Sequence, residues 1–396
     1  MFILSVSEKI LGLVCGLGIL QGILLAALVY FHPKSDRSVN IFLSLFIFTV
    51  SAIMTMPFAI RLIGWQNNFY TIPLPLIAGP FLYLYLKSFK EKITWKIALP
   101  HFLVVAVFFI IIYLNISALS RRFPDAVEVP EEVLKNPGTL IITFFKSAQQ
   151  ILYYFLARKA LSSYQRSIHH LFSETSRINM NWARYLVNGY LLLNVVFLVL
   201  FPLMLKFPEY FHLLLLLNMA VAAPYIYIAT YKGITQPTAW QAQKEVTKET
   251  AVEEMREAEV IEDSNNEKRV KEVTPVRQDG KLDGLVARIT ALMEEEKLYQ
   301  ETELTLHQLA TKLKVPTYMV SQALNEGMKK NFYDLVNGYR VEEAKRLLLD
   351  SGNRNYTILS VGFEAGFNSK TTFNTVFKKF TGLTPTDFRD KERVMA

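Results

Sequence analysis

Long apolar runs alternate with short polar loops over the first 231 residues, and this pattern predicts membrane-spanning helices. A helix that rises about 1.5 Å per residue needs about 20 apolar residues to cross about 30 Å of hydrocarbon. Seven runs have about this length, at 10–31, 40–62, 70–88, 97–119, 138–158, 185–206 and 210–231. We interpret the first as a retained helix, because about 22 apolar residues exceed the core of a cleavable signal peptide.

The third of these runs contains several residues that disturb a helix. Pro73, Pro75, Gly79 and Pro80 predict a kink or break in the third run, since proline removes a backbone donor that lipid cannot replace.

The fifth run carries three polar residues on neighbouring turns, Lys146, Gln149 and Gln150. A charged side chain inside a span indicates a ligand or signal site. The alternative is that Lys146 lies near enough to the outer end of the run to extend to the lipid headgroups. Both interpretations stay open at this stage.

The basic residues of the short loops predict the orientation, because Lys and Arg translocate poorly. With the C-terminus inside, the inner loops carry 11 Lys and Arg residues and the outer segments carry six. This bias predicts an external N-terminus and a cytoplasmic C-terminus in a multi-pass protein of the cytoplasmic membrane. The loop around Asp125 is then external, whereas the loop that holds His169 and His170 is internal and is expected to be plain surface.

A composition change marks the end of the membrane half. Residues 232–281 contain 20 charged residues in 50 and few large apolar side chains, so this segment cannot bury enough surface to fold alone. We predict a flexible charged linker between a membrane domain at 1–231 and a helical domain at 282–396. Val252, Met255 and Glu259 hint at a coiled coil, but the pattern covers barely two heptads.

Helical periodicity returns after the linker and contains a first pair of short helices. Thr305 is placed to cap a helix at 306–313, and a short turn through Pro316 leads to a second helix at about 317–326. Two helices joined by such a turn are typical of a helix-turn-helix motif. The polar side chains predicted on the outer face of the second helix are Tyr318, Ser321, Gln322 and Asn325.

The same arrangement recurs about fifty residues later, after a linking helix at about 333–349. Thr357 caps one helix, Gly366 supplies a turn, and Ser369 caps a second helix that runs to Phe380. The apolar positions of this helix, Phe373, Val376, Phe377 and Phe380, are expected to face the core. The opposite face carries Lys370, Thr371, Asn374 and Thr375, followed by Lys378 and Lys379 as candidate phosphate contacts.

The residues from 300 to 389 closely resemble the DNA-binding domain of the AraC/XylS family of bacterial transcription regulators. The resemblance rests on Arg340–Leu348, Gly366–Phe373 and Phe377–Pro385, followed by Phe388 and Arg389. It implies an all-α domain of seven helices whose two recognition helices lie in successive major grooves of double-stranded promoter DNA, about 34 Å apart. It implies base-reading positions at Tyr318, Ser321 and Gln322 and at Lys370, Thr371, Asn374 and Thr375.

The first motif departs from the family pattern at two positions. Pro316 stands where a capping Ser is usual, and Lys329 stands where a Gly usually ends the recognition helix. The soluble relatives often carry a sugar-binding N-terminal domain, whereas this chain is similar to the membrane-bound AraC-type regulators. A homodimer on DNA is expected, and RNA polymerase is a further candidate partner.

These observations together predict a membrane-embedded sensor, responding to an unknown ligand or membrane partner, that regulates transcription and is not an enzyme. The single Cys15 excludes an intrachain disulfide and a cysteine cluster, and no catalytic set, metal site or cofactor motif is visible. An alternative is a membrane anchor from which proteolysis of the linker releases the DNA-binding domain.

Overall fold

The computed structural model describes residues 6–32, 37–67, 72–124, 126, 129–175, 178, 181–234, 279–350 and 356–395. The predicted linker lies almost entirely outside these residues. The chain forms two compact units, one made of Met1–Tyr164 with Met180–Gln243 and the other of Gln165–Asn179 with Lys244–Ala396. Among the described residues the regular secondary structure is helical, apart from an isolated β-bridge between Phe172 and Thr305.

The first unit is built from apolar helices, most of which overlap the predicted runs. They are α1 (Val6–Tyr30), α2 (Arg37–Ile53), α3 (Met56–Ile63), α4 (Leu74–Lys87), α5 (Trp95–Ser120), the short α6 (Glu131–Leu134), α7 (Pro137–Leu171), α8 (Asn181–Lys206) and α9 (Phe211–Ile234). Among the described residues, four helical stretches are long and apolar enough to cross a membrane, namely those in α5, α7 and α8 and the stretch Pro208–Lys232 that contains α9. The apolar stretches in α1, α2 and α4 are shorter.

Some helices differ from the predicted runs. The second run was expected to be one helix, but it breaks between Ile53 and Met56 and continues as α3, with Pro57 in the first turn where a missing backbone N–H costs little. The fifth run was expected to end near residue 158, but α7 continues to Leu171 because good helix formers follow the apolar part. The third run was expected to kink or break at its prolines, but α4 begins after Pro73 and continues through Pro80 to Lys87 without a break.

Close helix contacts hold the first unit together. Asn40 of α2 donates from Nδ2 to the Val29 carbonyl at 2.7 Å, and Ser44 donates to the Ala26 carbonyl at 2.7 Å. A Cβ on Gly22 would lie 1.8 Å from the Ser51 hydroxyl oxygen, so α1 and α2 approach too closely for any larger residue. Small residues and buried interhelical hydrogen bonds are typical of helix packing in lipid.

Large apolar side chains cover much of the outer surface of this unit. On α5, Leu103, Val107, Ile110 and Leu114 are each about half exposed, and α7 likewise exposes Phe144. Soluble monomers rarely expose such extended apolar surface to water. Together with the four long apolar helices, this surface indicates insertion in a membrane.

The second unit contains seven α-helices among the described residues of 279–395. They are α10 (Asp279–Glu294), α11 (Leu306–Leu313), α12 (Thr317–Gln322), α13 (Phe332–Leu349), α14 (Ile358–Glu364), α15 (Lys370–Thr381) and α16 (Pro385–Met395). A cluster of buried apolar side chains from α13, α14 and α15, with Phe367 from the intervening turn, forms the core around the second helix pair.

Candidate nucleic-acid interface

The second helix pair, α14 and α15, is defined by two caps and a turn. The Thr357 hydroxyl accepts a hydrogen bond from the Ser360 amide at 3.0 Å, and Ser369 accepts one from the Thr372 amide at 3.1 Å. These bonds satisfy amide groups that a helix N-terminus leaves without partners. Gly366 has φ of +93° in the turn, a conformation that side-chain-bearing residues rarely adopt. Local residues therefore determine where both helices of this motif begin.

The apolar face of α15 fixes which side chains point away from the domain. Phe373, Val376 and Phe377 are fully buried, which leaves the opposite face of the helix outward. The outward side chains are Lys370, Thr371, Thr375, Lys378 and Lys379, all exposed, and the partly buried Asn374.

The far end of α15 differs from the prediction in two details. Phe380 was expected to be buried, but it lies in the last turn of α15 and is 39% exposed, outside the buried core cluster. Lys379 donates to the Asp334 carboxylate at 2.7 Å and lies over the Tyr333 ring. Of the two candidate phosphate contacts, Lys379 is thus held in the domain, whereas Lys378 makes no ion pair within the described part of the chain.

The first helix pair, α11 and α12, begins with a complete capping box. The Thr305 hydroxyl accepts from the Gln308 amide, and the Gln308 side chain accepts from the Thr305 amide at 2.7 Å. The second helix starts at Pro316 without a side-chain cap, as its sequence implied. Its regular part ends at Gln322 and continues as a π-helical turn from Ala323 to Gly327.

The end of this helix pair places Lys329 in the left-handed region, with φ of +54°. At this position the AraC/XylS family, which the sequence resembles, usually has glycine. The Lys330 amide then donates to the Leu324 carbonyl at 3.0 Å, which closes the helix end. A lysine therefore occupies a backbone conformation that favours glycine, at a conformational cost of roughly 1 kcal/mol.

The predicted reading face of α12 is already internally bonded. Gln322 donates to the Glu326 carboxylate at 3.0 Å, and Asn325 donates to the Ser321 hydroxyl at 3.4 Å. Tyr318 is partly buried. Gln322 and Asn325 thus bond within their own helix, in contrast to the outward threonines of α15.

The linking helix α13 contributes a fully buried cation, Arg340. Its Nε donates to the Tyr299 carbonyl at 2.7 Å, and its Nη2 donates to the Glu301 carbonyl at 2.7 Å. The guanidinium also lies over the Phe367 ring. Burial lowers the pKa of Arg340 to about 10, so it stays charged at neutral pH. It ties the linking helix to the loop before the first helix pair.

The sequence did not predict the part played by residues 172–175, which directly follow α7 and which we call the inner loop segment. It precedes α8 in the chain, yet it belongs to the same compact unit as the C-terminal helices. Ser173 is fully buried, and its hydroxyl donates to the Leu304 carbonyl at 2.7 Å. Asn337 donates to the Ser173 carbonyl at 2.9 Å. The only sequence signal was the polar pair Asn337 and Arg340 on an otherwise apolar helix face.

His169 was expected to be loop surface, and this was wrong. It lies in the last turn of α7, and its ring packs on the Tyr333 ring with 4.5 Å between centroids.

In the membrane half, the three polar residues of α7 do not form one site. Lys146 and Gln150 line a cavity of about 220 Å³. Gln149 does not line it and instead donates to the Leu76 carbonyl at 3.0 Å. The described residues contain no cluster of side chains that could hold a metal ion.

A family model described as a helix-turn-helix domain matches residues 309–391, which include most of both helix pairs and the linking helix. This match supports a DNA-binding transcription regulator of AraC type that binds double-stranded DNA. The comparisons with curated proteins and with solved structures gave no match.

Proposed function

We propose that this chain is a membrane-embedded transcription regulator, with a sensor domain of seven spanning helices and a cytoplasmic domain that reads promoter DNA. The observation that carries the proposal is the family match at 309–391 in a chain whose first unit has four long, lipid-compatible helices. The N-terminus is external, as the distribution of basic residues predicts.

In this proposal α15 is the principal reading helix. Base edges are contacted by Lys370, Thr371, Asn374 and Thr375, while Lys378 contacts phosphate. The helix α12 reads a second major groove with Tyr318, Ser321, Gln322 and Asn325. Two chains bind together on DNA, and the linker lets the domains of paired membrane halves meet.

Release by proteolysis of the linker is the weaker alternative. The inner loop segment packs within the DNA-binding unit, and it is joined by peptide bonds to α7 and towards α8. Cutting the linker would therefore free the domain only when these contacts also break.

The test uses the full chain in lipid nanodiscs and double-stranded DNA of random sequence, from which tight-binding sequences are selected. We expect binding that weakens steeply with salt, because bound cations release counterions from DNA. Lys378→Ala should weaken all sequences alike and reduce the salt slope by about 1, whereas Asn374→Ala should relax the preference at one base position. No selected sequence, or binding that salt does not affect, contradicts the proposal.

A further inference from the structure

The cavity in the first unit is apolar, but it contains polar atoms whose hydrogen-bonding capacity is unused. Most of its wall is aliphatic and aromatic. The Tyr190 hydroxyl, the Asn194 Oδ1 and the Asn218 Nδ2 are buried and have no hydrogen-bond partner among the described residues, and all three residues line the cavity. Leaving a buried polar group unbonded costs about 1–3 kcal/mol, so three at one cavity indicate that it holds polar atoms of a bound molecule, of water or of both.

Lys146 gives this cavity a charge. Its Nζ lies 5.2 Å from the centre of the Phe197 ring, and no carboxylate pairs with it in the described part of the chain. Lys146 is partly buried, and desolvating a cation that lacks an anionic partner is costly, a cost that a ring face offsets only in part. Gln150 lines the cavity beside it and adds a further donor.

We propose that the cavity binds a small amphipathic carboxylate, with the carboxylate at Lys146 and the apolar chain along the aliphatic wall. A volume of about 220 Å³ is below the 300–1,000 Å³ typical of sites for drug-sized ligands, which favours a single medium-length chain over a two-chain lipid. The inference deepens the proposed sensor function by naming the class of molecule that is sensed.

The test measures binding of straight-chain alkanoates of six to twelve carbons to the full chain in nanodiscs, without DNA. Affinity should rise about fourfold per added methylene until the cavity is full. Octanoate should bind at least tenfold tighter than octanol, which has the same chain and no charge. Lys146→Met should remove this preference, Lys146→Arg should keep it, and Lys159→Met, an exposed position on the same helix, should leave binding unchanged.

Equal binding of octanoate and octanol to the parent chain would overturn the proposal, as would an octanoate affinity that Lys146→Met does not change. Absence of alkanoate binding to folded protein would show that the cavity holds only water. Because no DNA is present, these outcomes are separate from failure of the DNA-binding function. Alkanoates added in water and alkanoates premixed with the nanodisc lipid distinguish an external source from a bilayer source.

The inner loop segment contacts three parts of the DNA-binding unit. Phe172 forms a bridge with Thr305, the residue that caps the first helix pair. Arg340 of the linking helix donates to the Ser173 hydroxyl at 3.4 Å, and Thr372 of the second pair donates to Glu174 at 3.4 Å. A few consecutive residues thus join the elements whose relative position sets the spacing of the two reading helices.

The docked segment leaves the reading face free. Thr372 is buried on the inner side of α15, whereas Lys370, Thr371 and Thr375 remain exposed. A segment that blocked DNA would cover these side chains instead. The segment directly follows α7, the helix that carries Lys146, so a signal at that helix has a short path along the chain to it.

We infer that the inner loop segment is a brace that holds the two helix pairs in the DNA-binding arrangement and that the membrane half regulates binding by docking or releasing it. The inference rests on the proposed DNA-binding function. Bridge partners in antiparallel strands have Cα atoms about 4.5–5.5 Å apart, which suits a disulfide. Phe172→Cys with Thr305→Cys, in a Cys15→Ser chain, therefore tests docking directly.

The oxidised double-cysteine chain should crosslink and keep the DNA affinity of the same chain in its reduced form, which already lacks the Thr305 cap. Ser173→Glu places a charge in a buried position and should lower DNA affinity at least tenfold, while Ser162→Glu, exposed on α7, should have no effect. Failure to crosslink, loss of DNA binding on crosslinking, or full affinity in Ser173→Glu would overturn the inference. If the parent chain binds no DNA, it is the proposed function that fails.

Discussion

Gly366 lies against the backbone of Tyr299, so closely that a Cβ on the glycine would stand 2.7 Å from the Tyr299 carbonyl oxygen. The same Cβ would lie 2.8 Å from the Gln300 Cα. The turn between α14 and α15 is therefore packed on the loop that precedes the first helix pair. Gly366 therefore has two roles. Its positive φ forms the turn, and its lack of a side chain lets the second helix pair pack against the loop that precedes the first.

Gly366→Ala should destabilise the DNA-binding unit by about 2 kcal/mol or more. The backbone strain at positive φ adds to a clash of the new Cβ with the backbone of Tyr299 and Gln300, which cannot move aside as a flexible side chain could. Gly382→Ala is the matched control. Its φ is also positive, at +79°, but a Cβ on Gly382 would meet no atom within 4 Å, so this change should cost only about 1 kcal/mol. Amide hydrogen exchange of α13 in the full chain measures both values. Equal costs would contradict the importance of the Tyr299 contact.

Arg340→Lys should cost about 3 kcal/mol, since an ammonium group cannot reproduce the planar donors that reach the Tyr299 and Glu301 carbonyls. The control is Arg346→Lys. Arg346 is largely exposed and pairs with Glu343, whose pKa it lowers, so this change should cost less than about 1 kcal/mol. Hydrogen exchange of amides in the DNA-binding unit, measured in the full chain at increasing urea concentration, compares the two variants. A tolerant Arg340 would mean that water satisfies these carbonyls in its place.

Local signals in the sequence were enough to predict the second helix pair. Thr357, Gly366 and Ser369 act within three or four residues of their positions, so their effects do not depend on the rest of the fold. The apolar spacing of α15 likewise placed its buried face, except at Phe380. Four of the seven predicted runs likewise contain helices long and apolar enough to cross a membrane, because the length and composition that lipid requires can be counted along the chain.

Contacts between distant residues could not be predicted in this way. Ser173 and Asn337 are 164 residues apart, and nothing in the local pattern around Ser173 distinguishes it from an exposed loop serine. The same holds for His169, whose partner Tyr333 lies on the linking helix. In the membrane half, spacing placed Lys146 and Gln149 on neighbouring turns, but of these two only Lys146 lines the cavity.

Lys329→Gly should stabilise the DNA-binding unit by about 1 kcal/mol, because it removes the cost of a side chain at φ of +54°. The neighbouring Lys330→Gly is the control. Lys330 is not among the residues with positive φ, so glycine there should only add freedom to the unfolded chain and weaken stability slightly. A loss of stability in Lys329→Gly would show that the lysine side chain makes a contact worth more than the backbone cost. Thermal unfolding in one detergent compares the parent chain with the two variants.

The orientation predicts which parts of the chain are accessible from outside the cell. A reporter fused after Ala396 should read as cytoplasmic, and a tag near Asp125, which lies outside the described residues, should react with a membrane-impermeant label in intact cells. A tag beside Arg166 should react only after permeabilisation and serves as the internal control. Labelling of the Asp125 position only after permeabilisation would reverse the topology.

The linker offers a separate test of how the membrane half controls the DNA-binding domain. A charged tether of about 50 residues transmits strain poorly, but pairing of two membrane halves raises the local concentration of two DNA-binding domains. We therefore expect that pairing of membrane halves acts together with docking of the inner loop segment, and that no rigid lever through the linker is needed. Inserting ten Gly and Ser residues near Asn265, outside the described residues, should leave regulation largely intact.

An inducible dimerisation domain placed before Met1 provides the stimulus without knowledge of the natural signal. Forced pairing should raise occupancy of a selected DNA sequence, measured by a promoter reporter, to a similar degree with and without the insertion. The same insertion next to Ser162 in α7 should disturb regulation, because it separates the inner loop segment from its helix. If the Asn265 insertion alone uncouples pairing from DNA occupancy while membrane insertion and DNA binding persist, an ordered linker carries the signal and association does not.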